Sequence, residues 1–273
     1  MKLLFSITLL LSATLISCGN SKPLVGTLDD SVTDEIAQEN ITSGEVSLKL
    51  YSKSKLDTVE SAIEYMFYTD PKLPYQDSIN RMIKMFVSGV VSNGGGATEQ
   101  NANLSEAYIE EALGKFGKEY NRQLEFIDDG MVWSTETSIG ITEGKPGYVE
   151  VLLSNWSFSG GAHGNAWSEE SVFDIKTGRE LLLSDFITDV DELTTIAEAI
   201  FRADQEILPD TDLMEAGFWF KEDVFSLNEN FVFNEESLSF LYNSYEVAPY
   251  VFGMITINIP RDQIKHLLKR KVD

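Results

Sequence analysis

The sequence predicts an α+β fold in which antiparallel strands and helices occupy separate stretches of the chain. Three observations predict it. Residues 148–158 alternate with the period of two that a half-buried strand requires. Tyr148, Glu150, Leu152, Ser154 and Trp156 fall on one face, and Val149, Val151, Leu153 and Asn155 on the other. Residues 78–91 and 193–207 instead place apolar side chains three and four apart, which builds one face of a helix. Strand-like stretches also follow one another through short turns, Asp128-Asp129-Gly130 and Glu143-Gly144-Lys145-Pro146-Gly147, so hairpins are expected rather than a parallel sheet.

Each element has its own signal. Residues 46–51 alternate and predict the first strand. Leu56, Val59, Ala62, Ile63, Met66 and Phe67 have helical spacing and predict a helix over 56–67, stopped by Asp70-Pro71 and Leu73-Pro74. A second helix, 78–91, turns Ile79, Met82, Ile83, Phe86, Val87 and Val90 to one side and is capped by Asp77 or Ser78. Residues 92–103 form a loop around Gly94-Gly95-Gly96, without the lysine and Ser/Thr of a phosphate loop. Ser105 caps a third helix running to about Tyr120. Strands are expected over 124–127, 131–141, 148–158, 167–175 and 179–187. A helix over 193–207 follows an acidic cap at Asp189 and Asp191, and Pro209 ends it. A short helix over 215–222 precedes a meander of strands over 225–227, 231–234, 238–242 and 250–259, and a helix over 261–269 closes the chain.

The first twenty residues stand apart. Lys2 precedes an apolar run from Leu3 to Ile16, too short to span a bilayer comfortably, so an export signal is expected over 1–17. Leu15-Ile16-Ser17-Cys18 resembles the bacterial lipobox, whose cysteine becomes the lipidated first residue of the mature chain. Residues 18–44 then read as a lipidated tether, rich in small and polar residues, and the protein is expected in the bacterial envelope, anchored in the outer membrane or at the cell surface by lipid at Cys18. Cys18 is the only cysteine, which removes disulfides and thiolate zinc sites from the folded part. The 21 basic and 44 acidic residues give a net charge of −23, which makes nucleic acid a poor partner and a basic protein a favoured one.

Between the strands 148–158 and 167–175 lies Ser159-Gly160-Gly161-Ala162-His163-Gly164, a glycine turn holding one of only two histidines. His163 has two readings, a ligand contact at a loop tip or a ring that ties down its own turn. Ser157 and Ser159 lie near it, but no Gly-x-Ser-x-Gly elbow and no orienting acid accompany them, so no catalytic set is read. Asp189-x-Asp191-Glu192 and Asp210-x-Asp212 lack the glycine and distal glutamate of a calcium loop, and helix capping explains them. His266 sits on a basic helix without companion ligands, and no metal or other cofactor is expected. Tyr242, Tyr245, Tyr250 and Phe252 gather around Pro249, either as an exposed aromatic lip or as sheet core.

The tail carries a family resemblance. Phe225-Ser226-Leu227, Phe231-Val232-Phe233 and Leu238-Ser239-Phe240 lead to Tyr245-Glu246-Val247-Ala248-Pro249-Tyr250-Val251-Phe252-Gly253 and Ile259-Pro260, with Gly160-Gly161-Ala162-His163 and Phe173-Asp174-Ile175-Lys176-Thr177-Gly178 upstream. Together these resemble the extracytoplasmic domain of lysozyme-sensing anti-sigma factors of the RsiV type, a module that also accompanies peptidoglycan deacetylases of the PdaC type. The resemblance covers residues 45 to 270, is specific in the C-terminal third, and matches the first half in pattern only. It implies an α+β fold of two intimately packed halves, here 45–164 (PdaC-type) and 165–273 (RsiV-like), located outside the cytoplasm. Such anti-sigma factors carry a cytoplasmic sigma-binding segment and a transmembrane helix, and neither is read in this sequence, so signalling by that route is not expected. The deacetylases need an aspartate pair with histidine ligands. Asp29-Asp30 and Asp128-Asp129 have no histidine pair near them, so that activity is not implied.

The expected function is therefore non-catalytic binding, by a monomer, of a basic muramidase such as lysozyme or of peptidoglycan glycan. Trp156, His163, Tyr245 and Tyr250 are the expected contact residues. An envelope carbohydrate esterase or deacetylase-like enzyme and a structural envelope lipoprotein are the alternatives.

Overall fold

The computed structural model of the chain describes residues 41–91, 104–126, 130–145, 147–234 and 236–269. The export signal, Cys18, the tether up to residue 40, the triple-glycine loop and Asp128-Asp129 lie outside the described residues.

Five strands, β1 (Ile41–Tyr51), β2 (Thr58–Tyr68), β3 (Ser134–Lys145), β4 (Tyr148–Phe158) and β5 (Asn165–Asp174), form one sheet in chain order. All neighbours are antiparallel except β2 and β3. That parallel pair brackets helices α1 (Pro74–Val91) and α2 (Glu106–Gln123), as parallel neighbours require a long crossover. A second, antiparallel sheet holds β6 (Phe231–Phe233), β7 (Ser237–Tyr242) and β8 (Ile255–Pro260). A helical turn α3 (Leu183–Phe186) and helix α4 (Val190–Asp204) precede that sheet, and α5 (Arg261–Ile264) follows it. The architecture is α+β as expected. Among the described residues no helix is long and apolar enough to cross a membrane.

Among the described residues three hydrophobic clusters hold it together, the smallest of them Leu50, Phe116, Tyr120, Val132 and Trp133. Ile79, Ile83 and Val87 of α1 and Ile109 and Leu113 of α2 pack on Val149, Val151 and Leu153, the face of β4 that the alternation turned inward. The second core is aromatic. Phe186 meets Tyr148 edge-on at 5.7 Å and Phe233 at 5.1 Å, while Phe201 of α4 meets Phe218 at 4.9 Å. Tyr148 and Val172 belong to this second core although they lie in the first sheet, so the two sheets share buried surface. The free edge of β5 is closed by amides. Asn243 accepts from the Ser168 N–H (2.7 Å) and donates to its carbonyl (2.9 Å). Asn230 accepts from the Glu170 N–H (2.8 Å) and donates to the same Ser168 carbonyl (2.9 Å). The side chains thus replace a sixth strand and fix the C-terminal turns against β5.

Several expectations are corrected. Residues 56–67 are strand β2, not a helix. Thr58–Tyr68 pairs with β1 over its full length, burying Ser61, Ile63, Tyr65 and Phe67 on one face while Leu56 is left 83% exposed. Pro74 begins α1 rather than ending a helix, since proline suits the first helical position. Leu124 has helical backbone (φ −55, ψ −25) at the end of α2, and the described residues 124–126 form a turn in place of the expected strand. The stretch 179–187 forms isolated bridges, Phe173↔Glu180 and Ile187↔Leu268, around the α3 turn instead of a strand. Phe225 is buried without a strand. Residues 215–222 form no helix beyond a 3-10 turn at Lys221–Asp223, and a 3-10 turn at Tyr250–Phe252 stands before β8. Helix α5 ends at Ile264 and continues as a 3-10 turn, Lys265–Leu267. β1 starts at Ile41, inside the stretch read as tether.

Candidate functional site

The glycine turn between β4 and β5 needs two consecutive left-handed residues, and Gly160 and Gly161 supply them at φ +93 and +94. The chain then carries His163 to the surface and re-enters the sheet at Asn165. Gly164 packs so closely on the Trp156 indole that a Cβ there would lie 2.5 Å from the ring. Trp156, on the outward face of β4, is 39% exposed.

Opposite this turn, Asn243 and Glu246 close a second one. The Glu246 N–H donates to the Asn243 carbonyl (3.0 Å), and the Asn243 N–H to the Glu246 carboxylate (2.7 Å). Tyr245 within it is left-handed at φ +69, an uncommon conformation for an aromatic residue, and 52% exposed. Tyr250 follows in the 3-10 turn after Pro249.

The fold brings these residues together. The rings of His163 and Tyr250 stack at 3.7 Å and 12°. Tyr245 lies 5.6 Å from Tyr250 and 6.3 Å from His163. The Tyr250 hydroxyl donates to the Gly164 carbonyl (2.8 Å), and His163 Nδ1 lies 2.9 Å from that same carbonyl. A carbonyl only accepts, so Nδ1 carries a proton, and in the neutral ring Nε2 accepts from the Tyr245 hydroxyl at 3.3 Å. Both ring nitrogens are thus engaged, and neither contact involves Ser157 or Ser159. All four residues singled out from the sequence, Trp156, His163, Tyr245 and Tyr250, meet in one surface platform joined through Gly164. Tyr242 separates from the group as a core residue, 1% exposed, with its hydroxyl on the Ser226 carbonyl (2.6 Å). Beyond Tyr250 the apolar lip continues through Val251 (86% exposed) and Phe252 (42%). His266 pairs with Glu192 (2.8 Å) instead of joining the platform. Asp189 accepts from the Glu192 N–H (2.9 Å), the capping role that the sequence suggested.

Sequence reasoning missed two features. Trp219 is 43% exposed and donates through Nε1 to the Glu246 carbonyl (3.1 Å), bracing the turn that carries Tyr245. Its signal was the aromatic run Phe218-Trp219-Phe220. The second is a pair of carboxylates, Glu150 buried and Glu170 partly buried, on the sheet face that also carries Trp156. Glu150 of β4 pairs with Val172 and Leu152 with Glu170 of β5, so the two glutamates are diagonal neighbours on one face. Burial, and then the Glu150 charge, push the Glu170 carboxyl up to about 7. Burial also raises Glu150, against a smaller opposing pull from Lys145. On the opposite face, beside Leu153, burial and the Glu180 charge raise Glu169. Among the described residues no group of three or more His, Cys, Asp and Glu is arranged to hold a metal ion.

Residues 182–262 match the family described as a protein of unknown function, DUF3298. That segment contains Tyr245 and Tyr250 but neither Trp156 nor His163. The fold is similar to that of a DUF3298 family member from Bacteroides fragilis NCTC 9343, with a TM-score of 0.62 and 20% identity over 84% of this chain and 93% of that one. It is also similar to a DUF3298 family protein from Pseudomonas aeruginosa PAO1, with a TM-score of 0.52 and 16% identity over 84% and 94%. At these identities the likeness shows the fold. No curated protein matches the chain.

Proposed function

We propose that the chain is an envelope lipoprotein, anchored through Cys18, whose folded part is a non-catalytic binding domain for a basic muramidase of the lysozyme kind. This reading carries forward the resemblance to RsiV-type domains. One observation supports it most: the platform of Trp156, His163, Tyr245 and Tyr250, built from segments 82 residues apart, with Trp156, His163 and Tyr245 exposed and Tyr250 partly buried. Rigid aromatic side chains give a large contact area at low entropic cost, and such residues dominate binding energy at interfaces. The net charge of −23 would steer a basic partner toward the surface. His163 serves the platform as a structural member, since its nitrogens hold the Gly164 carbonyl and the Tyr245 hydroxyl and leave no base for a serine.

The test is a titration of the chain with a c-type lysozyme at low and then physiological salt. Binding that persists at physiological salt, and weakens at least about tenfold in Trp156→Ala and Tyr245→Ala with the melting curve unchanged, is the expected result. Binding confined to low salt is charge attraction and refutes specific recognition. With no binding at either salt, retention on isolated peptidoglycan would assign the platform to glycan instead. Turnover of glycan esters or amides that His163→Ala abolishes would make the protein an enzyme. Failure of Cys18→Ala to release the protein from membranes would remove the anchor.

A further inference from the structure

A pocket of about 410 Å³ opens between β1, the edge strand of the large sheet, and helix α2. It shares no lining residue with the aromatic platform. Leu48 and Leu50 form one wall, and Gly114 and Gly117 of α2 the other. Glycine weakens a helix interior, so two in one helix call for a reason. Gly117 has one in packing, because a Cβ there would lie 2.6 Å from the Leu48 side chain. Gly114 has none, because a Cβ there would meet nothing within 4 Å. What its missing side chain leaves is pocket.

The charge around this pocket is opposite to that of the protein. The chain carries 44 acidic and 21 basic residues, yet Lys49, Lys53, Lys55 and Lys118 line the pocket, and among the described residues no aspartate or glutamate does. Among the described residues none of these four lysines forms an ion pair. The turn bearing Lys53 and Lys55 is fixed. The Ser52 N–H donates to the Asp57 carbonyl (2.8 Å), the Lys55 N–H to the Ser52 carbonyl (2.9 Å), and the Asp57 N–H to Ser52 Oγ (3.1 Å). This arrangement holds Lys55 left-handed at φ +61. Unpaired cations on an ordered turn over an apolar cavity of ligand size make a site for an anion with an apolar body.

We propose that the β1–α2 pocket binds an amphiphilic anion, with its phosphate or carboxylate head on Lys53, Lys55 and Lys118 and a short apolar stem between Leu50 and Gly114. A lipid headgroup and a soluble phosphomonoester share this chemistry. The experiment is isothermal titration of the full chain with hexyl phosphate, inorganic phosphate, hexyl glucoside and dihexanoyl phosphatidylglycerol, the last kept below its micellar range. Hexyl phosphate should saturate one site with a Kd below about 1 mM, inorganic phosphate should bind at least about tenfold more weakly, and hexyl glucoside should not bind. Lys53→Glu with Lys55→Glu, and separately Gly114→Leu, should each weaken hexyl phosphate at least about tenfold with the melting temperature maintained. If Gly114→Leu fails to fold, Gly114→Ala serves in its place; it favours the helix and should still weaken binding about threefold by narrowing the pocket. Tighter binding of the phosphatidylglycerol than of hexyl phosphate, lost in the same variants, identifies a lipid headgroup; the reverse order identifies a soluble ester. Equal binding of inorganic phosphate and hexyl phosphate, binding indifferent to the variants, or no binding of either alkyl ligand overturns the proposal.

Discussion

Replacing Glu170 with glutamine should flatten the dependence of stability on pH. Glu170 lies in β5 opposite Leu152 and diagonal to Glu150, and it shares one sheet face with that second carboxylate. Its carboxyl is raised from 4.5 to about 7, by burial first and by Glu150 second. Between those values the folded chain holds a proton that the unfolded chain has released, so stability falls as pH rises through this window and levels off above it. At 1.36 kcal/mol for each tenfold change in proton affinity, the ceiling is about 3 kcal/mol. The side chain is only partly buried, and solvent screening cuts the expected effect to about 1.5 kcal/mol. Glu170→Gln mimics the protonated form. It should match the parent near pH 4.5 and exceed it by about that amount at pH 8. Glu150→Gln should shrink the same difference, because it removes the neighbouring charge. Urea unfolding at fixed ionic strength across this range measures both. Parallel stability curves for parent and Glu170→Gln, or a parent that gains stability between about pH 5 and pH 7, would refute the reasoning.

Other perturbations have equally definite expectations. Gly178 is left-handed at φ +69, and a Cβ on it would lie 2.6 Å from the Pro74 carbonyl carbon, so Gly178→Ala should cost more than about 2 kcal/mol in denaturant unfolding. Glu143 accepts from the Tyr68 (2.5 Å) and Tyr75 (3.1 Å) hydroxyls, and Glu143→Ala should cost about 2–3 kcal/mol by removing the carboxylate that both donate to. Asp189→Ala removes the α4 cap and should cost about 1 kcal/mol by the same measurement. Asn243→Ala strips the Ser168 N–H of its partner and frees the turn that carries Tyr245. It should cost about 2 kcal/mol and also speed amide exchange along β5, and unchanged exchange there would separate the turn from the sheet edge.

Elements with strong local signals were legible in the sequence. Strand β4 has the same limits in both, because alternation runs unbroken between turn formers on either side. Ser105 and Asp189 act as the caps they look like, accepting from Tyr108 N and Glu192 N, since capping depends on the next three residues alone. Residues 56–67 were not legible because their apolar positions fit two periods. Val59, Ala62, Ile63 and Met66 match a helix, while Ser61, Ile63, Tyr65 and Phe67 match a strand. Pairing with β1 decided between them, and no local rule contains that pairing.

The same division runs through the candidate site. By itself the sequence determined the α+β class, the acidic surface, and the four residues worth watching, each by its own type and position in a turn or strand. It could not determine that they meet. His163 and Tyr245 are 82 residues apart, and what joins them is the β5 edge, where Asn230 and Asn243 fill the hydrogen-bonding places of an absent strand and bring the second turn onto the first. The Glu150–Glu170 neighbourhood is likewise a product of strand register, and the lysines beside Gly114 of the way β1 packs against α2. Local chemistry sets what each residue can do. Unsatisfied backbone groups and shared buried surface set which residues do it together.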